Sequence, residues 1–461
     1  MNCKPIPLAA AILCLALGAD LAAQPAASPP AAAPSGSAPP AGGAAPAALP
    51  CNITIGWWEG SDLKPLFPFG GNQQPPPRPN DCDFQAWSWT AFASWIQSDP
   101  ATGQPRFLGL PTPDDLVVNG GQARPEAMAV RQRTLRLSPR DPKPQSMSSV
   151  AQATGNPLID QTGRAVYYAV HMEATYFATT QQYYGPTNYQ NATPTTTYPV
   201  GATVLKSAWR IVQPNDIAVK AYITPATIDL LESDGQGGLK PNGQTANVTV
   251  ALVGLHVVGV VQDHPEFLWA TFEQVDNAPD LPANVQPTSP APVSAKNFTF
   301  YRGGTPANAS NQPPLVVNPA TQVVSAVTNV FRQYPYGNAA PNRAADIASI
   351  NNFSRGMIAG GSVKTVPRVF SNYRLVGTLW MQPNTLQPGV DNLQPLGVGS
   401  VSLANSVLET YAQGPTVSCF SCHTTGGGTA GSTTYPGKDV NLSHTLLGGL
   451  AGTNSLKRRA Q

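Results

Sequence analysis

Residues 245–260 read TANVTVALVGLHVVGV, the most apolar run of the chain, and residues 266–275 follow as EFLWATFEQV. Valine-rich stretches suit a pleated, half-buried surface because a side chain branched at Cβ keeps one rotamer there without crowding. The first run therefore predicts one or two strands. In the second, Phe267, Trp269, Thr271 and Glu273 alternate with Leu268, Ala270 and Phe272. A period of two sends the two sets to opposite faces of a sheet. Asp263-His264-Pro265 lies between the runs, so the two strands are expected to be neighbours joined by a loop there.

Outward from this pair the elements are mixed. Residues 164–172 (RAVYYAVHM) follow a Gln161-Thr162-Gly163 turn and read as another strand. Residues 83–97 (DFQAWSWTAFASWIQ) place Trp87, Ala91 and Trp95 at fourfold spacing, with Asp83 where an N-cap is useful, and predict a helix. Shorter helices are expected at 205–211, at 320–333, where Val323, Val327, Val330 and Phe331 form a stripe, and at 403–413 (LANSVLETYAQ), which stops at Gly414-Pro415. Pro- and Gly-rich connections at 71–79 and 276–292 separate the elements. Mixed rather than alternating elements predict an α+β fold. The expected organisation is a large strand-rich domain over 51–399 and a small helical C-terminal segment over 400–461.

The ends differ from the middle. One lysine in Met1-Asn2-Cys3-Lys4, an apolar run over 8–18 and the small residues Leu21-Ala22-Ala23 have the layout of a signal peptide over 1–23. An uncleaved anchor is the alternative, although a bilayer span needs ~20 apolar residues and this run is shorter. Residues 24–50 are nearly all Ala, Pro, Ser and Gly, which cannot build a core and read as a disordered linker. Only 11% of the 461 residues are charged and the formal charge is +2, with no basic block. Nucleic acid and anionic membrane surfaces are thereby disfavoured as partners, and no integral membrane span is expected. The layout points to a periplasmic or secreted protein. Of six cysteines, Cys3 and Cys14 leave with the signal peptide. In an oxidising compartment Cys51 and Cys82 are expected to form a disulfide, two buried thiols being the alternative.

The remaining pair lies in Cys419-Phe420-Ser421-Cys422-His423. C-x-x-C-H is the spacing of covalent c-type haem attachment. Two thiols add to the two vinyl groups along one porphyrin edge, and the adjacent histidine reaches the iron. A thioredoxin-like pair would need a βαβ setting, and a zinc site a second close Cys/His pair. Here the motif runs into Thr424-Thr425 and three glycines, with only His444 downstream. A helix over 403–413 leading into this motif resembles the opening of a cytochrome c domain, over residues ~400–450. The resemblance implies haem c, iron coordinated by His423, and single-electron transfer with a redox protein partner. No methionine follows His423, so the usual downstream ligand of that family is missing. His444, 21 residues past His423, is taken as the sixth ligand, with Met381, His256 or no protein ligand at all as the alternatives.

The longer chain is similar to a group of bacterial exported proteins with a single C-terminal C-x-x-C-H. The residues that carry this similarity are 206–211 (KSAWRI), 264–279 (HPEFLWATFEQVDNAP) and 403–411 (LANSVLETY). It implies one architecture that includes the haem segment, and no assigned activity. His171 and His264 read as structural or surface residues, the latter in a loop. Trp57-Trp58-Glu59 and Trp87-Ser88-Trp89 could stack sugars, but core packing is the expectation. Glu266, Glu273, Asp276 and Asp280 form an acidic patch that is expected to be a solvated face rather than a catalytic set. No catalytic residues are identified. Electron transfer is the leading reading. A haem enzyme of peroxidase or oxygenase type, with an open sixth position, and a ligand-binding module with an accessory haem are the alternatives.

Overall fold

A computed structural model describes residue 51 and residues 81–117, 135–137, 157–183, 197–382 and 397–435, with gaps at 215, 217–219, 236–237, 262–263, 312–316, 325–326, 416, 418, 424–427 and 431–432. The signal-peptide and linker regions, Trp57-Trp58-Glu59 and His444 lie outside the described residues. In chain order the elements are α1 Asp81–Ile96, α2 Pro113–Val117, β1 Leu135–Leu137, β2 Val166–Met172, α3 Ala174–Tyr183, β3 Thr203–Ile211, β4 Ile223–Ser233, β5 Leu239–Val261 and β6 His264–Gln274. They continue with β7 Val317–Asn318, β8 Val323–Val324, α4 Pro341–Ala359, β9 Tyr373–Met381, β10 Gly397–Gly399, α5 Cys419–Cys422, β11 Gly428–Ala430 and β12 Thr433–Tyr435. The chain is strand-rich with few helices, an α+β fold at that level.

The valine-rich run belongs to one strand, β5, of 23 residues. Its length lets it serve three partners. At Val250 and Ala251 it pairs with β3 and β4 together, so these occupy opposite edges. Beyond Gly254, β6 replaces β4 beside it, while β3 continues on the other edge. The sheet extends through β9 to β10 on one side, and β2 pairs with β3 on the other. These pairings are antiparallel; β1 joins β4 in parallel. His264 is the first residue of β6 and is buried, which corrects its expected loop position.

The alternation in β6 divides the core. Leu268, Ala270 and Phe272 face α1 and α4. There Phe92 of α1 stacks on Phe272 with ring centroids 4.0 Å apart. Trp87 and Trp89 are fully buried, so these tryptophans serve the core. Trp89 Nε1 donates to Asn351 Oδ1 of α4, and Asn351 also bonds both the N–H and the C=O of Leu375 in β9. Phe267 and Trp269 face the opposite way, with Val258, Leu379 and Met381.

Three expected helical features differ. Asp83 lies inside α1 rather than at its cap, because the helix starts at Asp81. Residues 205–211 lie in β3, where pairing with β2 and β5 outweighs a weak local preference. The described residues of 320–333 hold turns, the short strand β8 and irregular chain, and no helix. Gln322 N–H bonds the fourth residue back, at Asn318, but Val324, Thr328 and Val330 donate to the distant carbonyls of Gly163, Ile159 and Phe300.

Cys51 and Cys82 are joined as a disulfide, tying the start of this region to α1. Their separation of 31 residues gives a loop-closure contribution of about 3–4 kcal/mol. Replacing both by serine is expected to lower the denaturant midpoint by a corresponding amount, while a reducing agent lowers the wild-type midpoint alone. Both are read by chemical unfolding.

Candidate functional site

The segment after β10 carries the C-x-x-C-H, and its course begins on the sheet. Residues 403–413 form a series of turns and not the expected helix. Ser and Asn side chains offer the backbone competing partners. Val407 N–H goes to Asn405 Oδ1, Asn405 N–H goes to Glu409 Oε2, and Leu408 and Ala412 N–H close single turns on the carbonyls three residues back. Several side chains reach outward. Asn405 Nδ2 donates to Thr271 Oγ1 and to the Phe272 carbonyl on β6. Ser406 donates its N–H and its hydroxyl to the two oxygens of Glu273, at 2.5 and 2.8 Å. Tyr168 donates to the Val407 carbonyl, and Tyr411 to that of Pro157. Val407 sits so close to Gly254 that a Cβ there would lie 2.5 Å from its methyl group.

Of the four acidic residues, Asp276 is exposed as expected, beside the exposed Lys220, but the other three are not a solvated face. Glu273 is fully buried and Glu266 nearly so. Arg332 Nη1 donates to Glu273 and Arg332 Nε to Asp280, both at 2.5 Å, and Arg374 also binds Asp280. Burial raises the Asp280 carboxyl, but the Arg332 and Arg374 charges outweigh that and hold it well below the usual carboxylate range. Glu266 Oε1 accepts from the Met381 N–H and lies 2.9 Å from His264 Nδ1. Desolvation required these carboxylates to find partners, and Arg332 was too remote in sequence to be foreseen as one.

His256 is a bonded core histidine, with Nε2 2.7 Å from Glu409 Oε1. Burial raises the Glu409 carboxyl, and the His256 charge and hydrogen bond, Lys206 and the Asn405 N–H together leave it below its ordinary value. Lys206 lies directly across from His256 on β3, its ammonium 5.6 Å from the Tyr168 ring centroid.

Cys419–Cys422 form α5, a single turn, and His423 follows it, its N–H donating to the Cys419 carbonyl at 2.9 Å. Phe420 is fully buried in the cluster of Val258, Phe267, Trp269, Leu379 and Met381, and Cys419 packs against that same cluster. The half-buried His423 ring lies 4.3 Å from the Trp269 ring, inclined at 52°. Of the residues singled out in the sequence, the fold thus brings Met381 to the same cluster as Cys419. It commits His256 to Glu409 and buries His171 edge-on to Phe107. Trp269 and Glu409 escaped notice, although the alternation of β6 had already set Phe267, Trp269, Thr271 and Glu273 on one face. All four meet the C-terminal segment or the cluster beneath it.

Among the described residues no three His, Cys, Asp or Glu side chains converge as a metal site. A haem iron takes only one or two protein ligands, so this bears on bare ions alone. Among the same residues no helix is long and apolar enough to cross a membrane. No known protein family matches the chain, and neither a curated protein nor a solved structure matches it.

Glu273→Ala leaves the buried Arg332 with Asp280 as its one carboxylate partner and strands the Ser406 N–H and hydroxyl, and is expected to cost about 3 kcal/mol in chemical unfolding. Glu409 and Asp280 both ionise more readily in the folded chain than at their ordinary values of 4.5 and 3.8. Their stabilisation is therefore present above those values and is lost as pH falls through the lower, folded ones. Glu409→Gln is expected to flatten the acid limb of a plot of melting temperature against pH, read by circular dichroism between about pH 2 and pH 7.

Proposed function

We propose that this chain is a periplasmic or secreted monohaem protein that passes single electrons to or from a redox protein partner. The observation that carries the reading is the C-x-x-C-H itself, standing on an apolar wall. Phe420 anchors the turn in a cluster of aromatic and aliphatic side chains, and Cys419 lies against the same surface. These residues fit a large planar apolar group held at one edge by thioethers. When bound, haem c supplies a one-electron iron couple whose potential follows its axial ligands and surroundings.

The chain's own residues supply the rest. Cys419 and Cys422 hold the porphyrin edge, and His423 provides the proximal nitrogen. Met381 shares the cluster with Phe420, which favours it over His256, whose Nε2 is taken by Glu409. His444 remains a second source for the sixth ligand. The Cys51–Cys82 disulfide accords with an oxidising compartment. The nearby carboxylates of Glu273, Asp280 and Glu409 are committed to ion pairs, which supports electron transfer over acid–base catalysis.

The optical spectrum of the purified protein tests this directly. Low-spin bands that carbon monoxide leaves unchanged in the reduced protein are expected, since two protein ligands occupy the iron. Cys422→Ala is expected to lose double thioether attachment, and His423→Ala to lose the low-spin spectrum. A high-spin spectrum that shifts with the gas would contradict electron transfer and favour a haem enzyme.

A further inference from the structure

In the apolar cluster beneath Cys419 and Phe420, the indole nitrogen of Trp269 is a buried donor without a partner. The residue is only 7% exposed, and its N–H meets no acceptor. A buried donor left unbonded costs ~1–3 kcal/mol, and a phenylalanine would fill much of this slot without that cost. The sheet supplies nothing to bond it. Across the strands Trp269 faces Val258 on one side and Leu379 on the other, and Phe267 meets it edge-on at 6.0 Å. Thr271, the next residue along this face, is already bonded to Asn405. What the indole does touch is the imidazole of His423, at 4.3 Å.

We propose that Trp269 is a positioning residue for the group held by Cys419, Cys422 and His423. Its ring seats the His423 imidazole, and its N–H donates to an acceptor oxygen of that group, a carboxylate in the case of haem. The inference rests on the covalent-haem reading. It explains why this cluster holds an unbonded buried donor, on an indole whose ring lies beside the histidine of the motif.

The donor has an electrostatic consequence. A hydrogen bond disperses the carboxylate charge and favours its ionised form. Without it, more negative charge is felt at the iron, and the oxidised state gains. Trp269→Phe keeps an aromatic ring, though a smaller one, and removes the donor. In the full-length, haem-loaded chain it is expected to shift the reduction equilibrium about tenfold toward the oxidised form, ~59 mV for one electron. The pH at which the potential begins to vary should move upward as well.

The test is a redox titration of wild type and Trp269→Phe across pH, with covalent haem content measured in both. Equal haem content with a lowered potential and a displaced pH profile supports the proposal. Equal haem content with both unchanged overturns it and leaves the covalent-haem reading intact. A wild type without covalent haem defeats that reading, and this inference with it. Should the variant fail to fold, the wild type offers a second reading by ultraviolet resonance Raman spectroscopy. One indole N–H marker should occupy its hydrogen-bonded position in the loaded protein and its unbonded position in the Cys419→Ala/Cys422→Ala chain. An unchanged marker overturns the proposal.

Discussion

A single buried carboxylate, Glu273, joins the two parts of the chain that matter most. Its Oε2 receives Arg332 and the hydroxyl of Ser406, and its Oε1 receives the N–H of Ser406. A charge taken out of water this completely is tolerated only when its oxygens are filled with donors. The carboxylate therefore requires both partners, and each partner fixes a long irregular stretch of backbone. Arg332 anchors the extended run after β8, and Ser406 anchors the turns that lead toward the C-terminal motif. Gly254 allows the second of these to lie against the sheet, since a side chain there would collide with Val407.

From this clamp one sheet face runs without interruption to the C-x-x-C-H. Glu273, Thr271, Trp269 and Phe267 alternate outward from β6, and each meets something different. Glu273 holds Ser406, Thr271 holds Asn405, Trp269 touches His423, and Phe267 packs in the cluster that buries Phe420. Polar bonds set the register of the segment, and the apolar cluster receives the turn that follows it. Under the proposed function, the sheet thus orients the haem-bearing residues as part of one architecture. That would give residues 51–399 a role beyond carrying a minimal haem site.

The parts legible in the sequence were those governed by local periodicity. The alternation of residues 266–275 correctly divided the two faces of β6, and the fourfold tryptophans of 83–97 marked α1. The pairing of β5 with β6 followed from their adjacency. What failed was set by distant partners. Residues 320–333 and 403–413 were expected to be helical, yet many of their amides and side chains bond segments far away in sequence. Lys206 and Trp209 sit in β3 because β2 and β5 flank it, which no short window reveals. The acidic residues read as solvated because Arg332, 59 positions from Glu273, is invisible from their neighbourhood. The motif residues were found by spacing, but the indole beside His423 emerged only when the strand and the C-terminal turn were brought together.

The most direct test of the account is the intact mass of the full-length protein, produced in a host with c-type haem maturation and mapped by peptide fragmentation. A mass increased by one haem is expected, with the modification on the peptide that contains Cys419 and Cys422. An unmodified mass, with both cysteines open to alkylation, would contradict it.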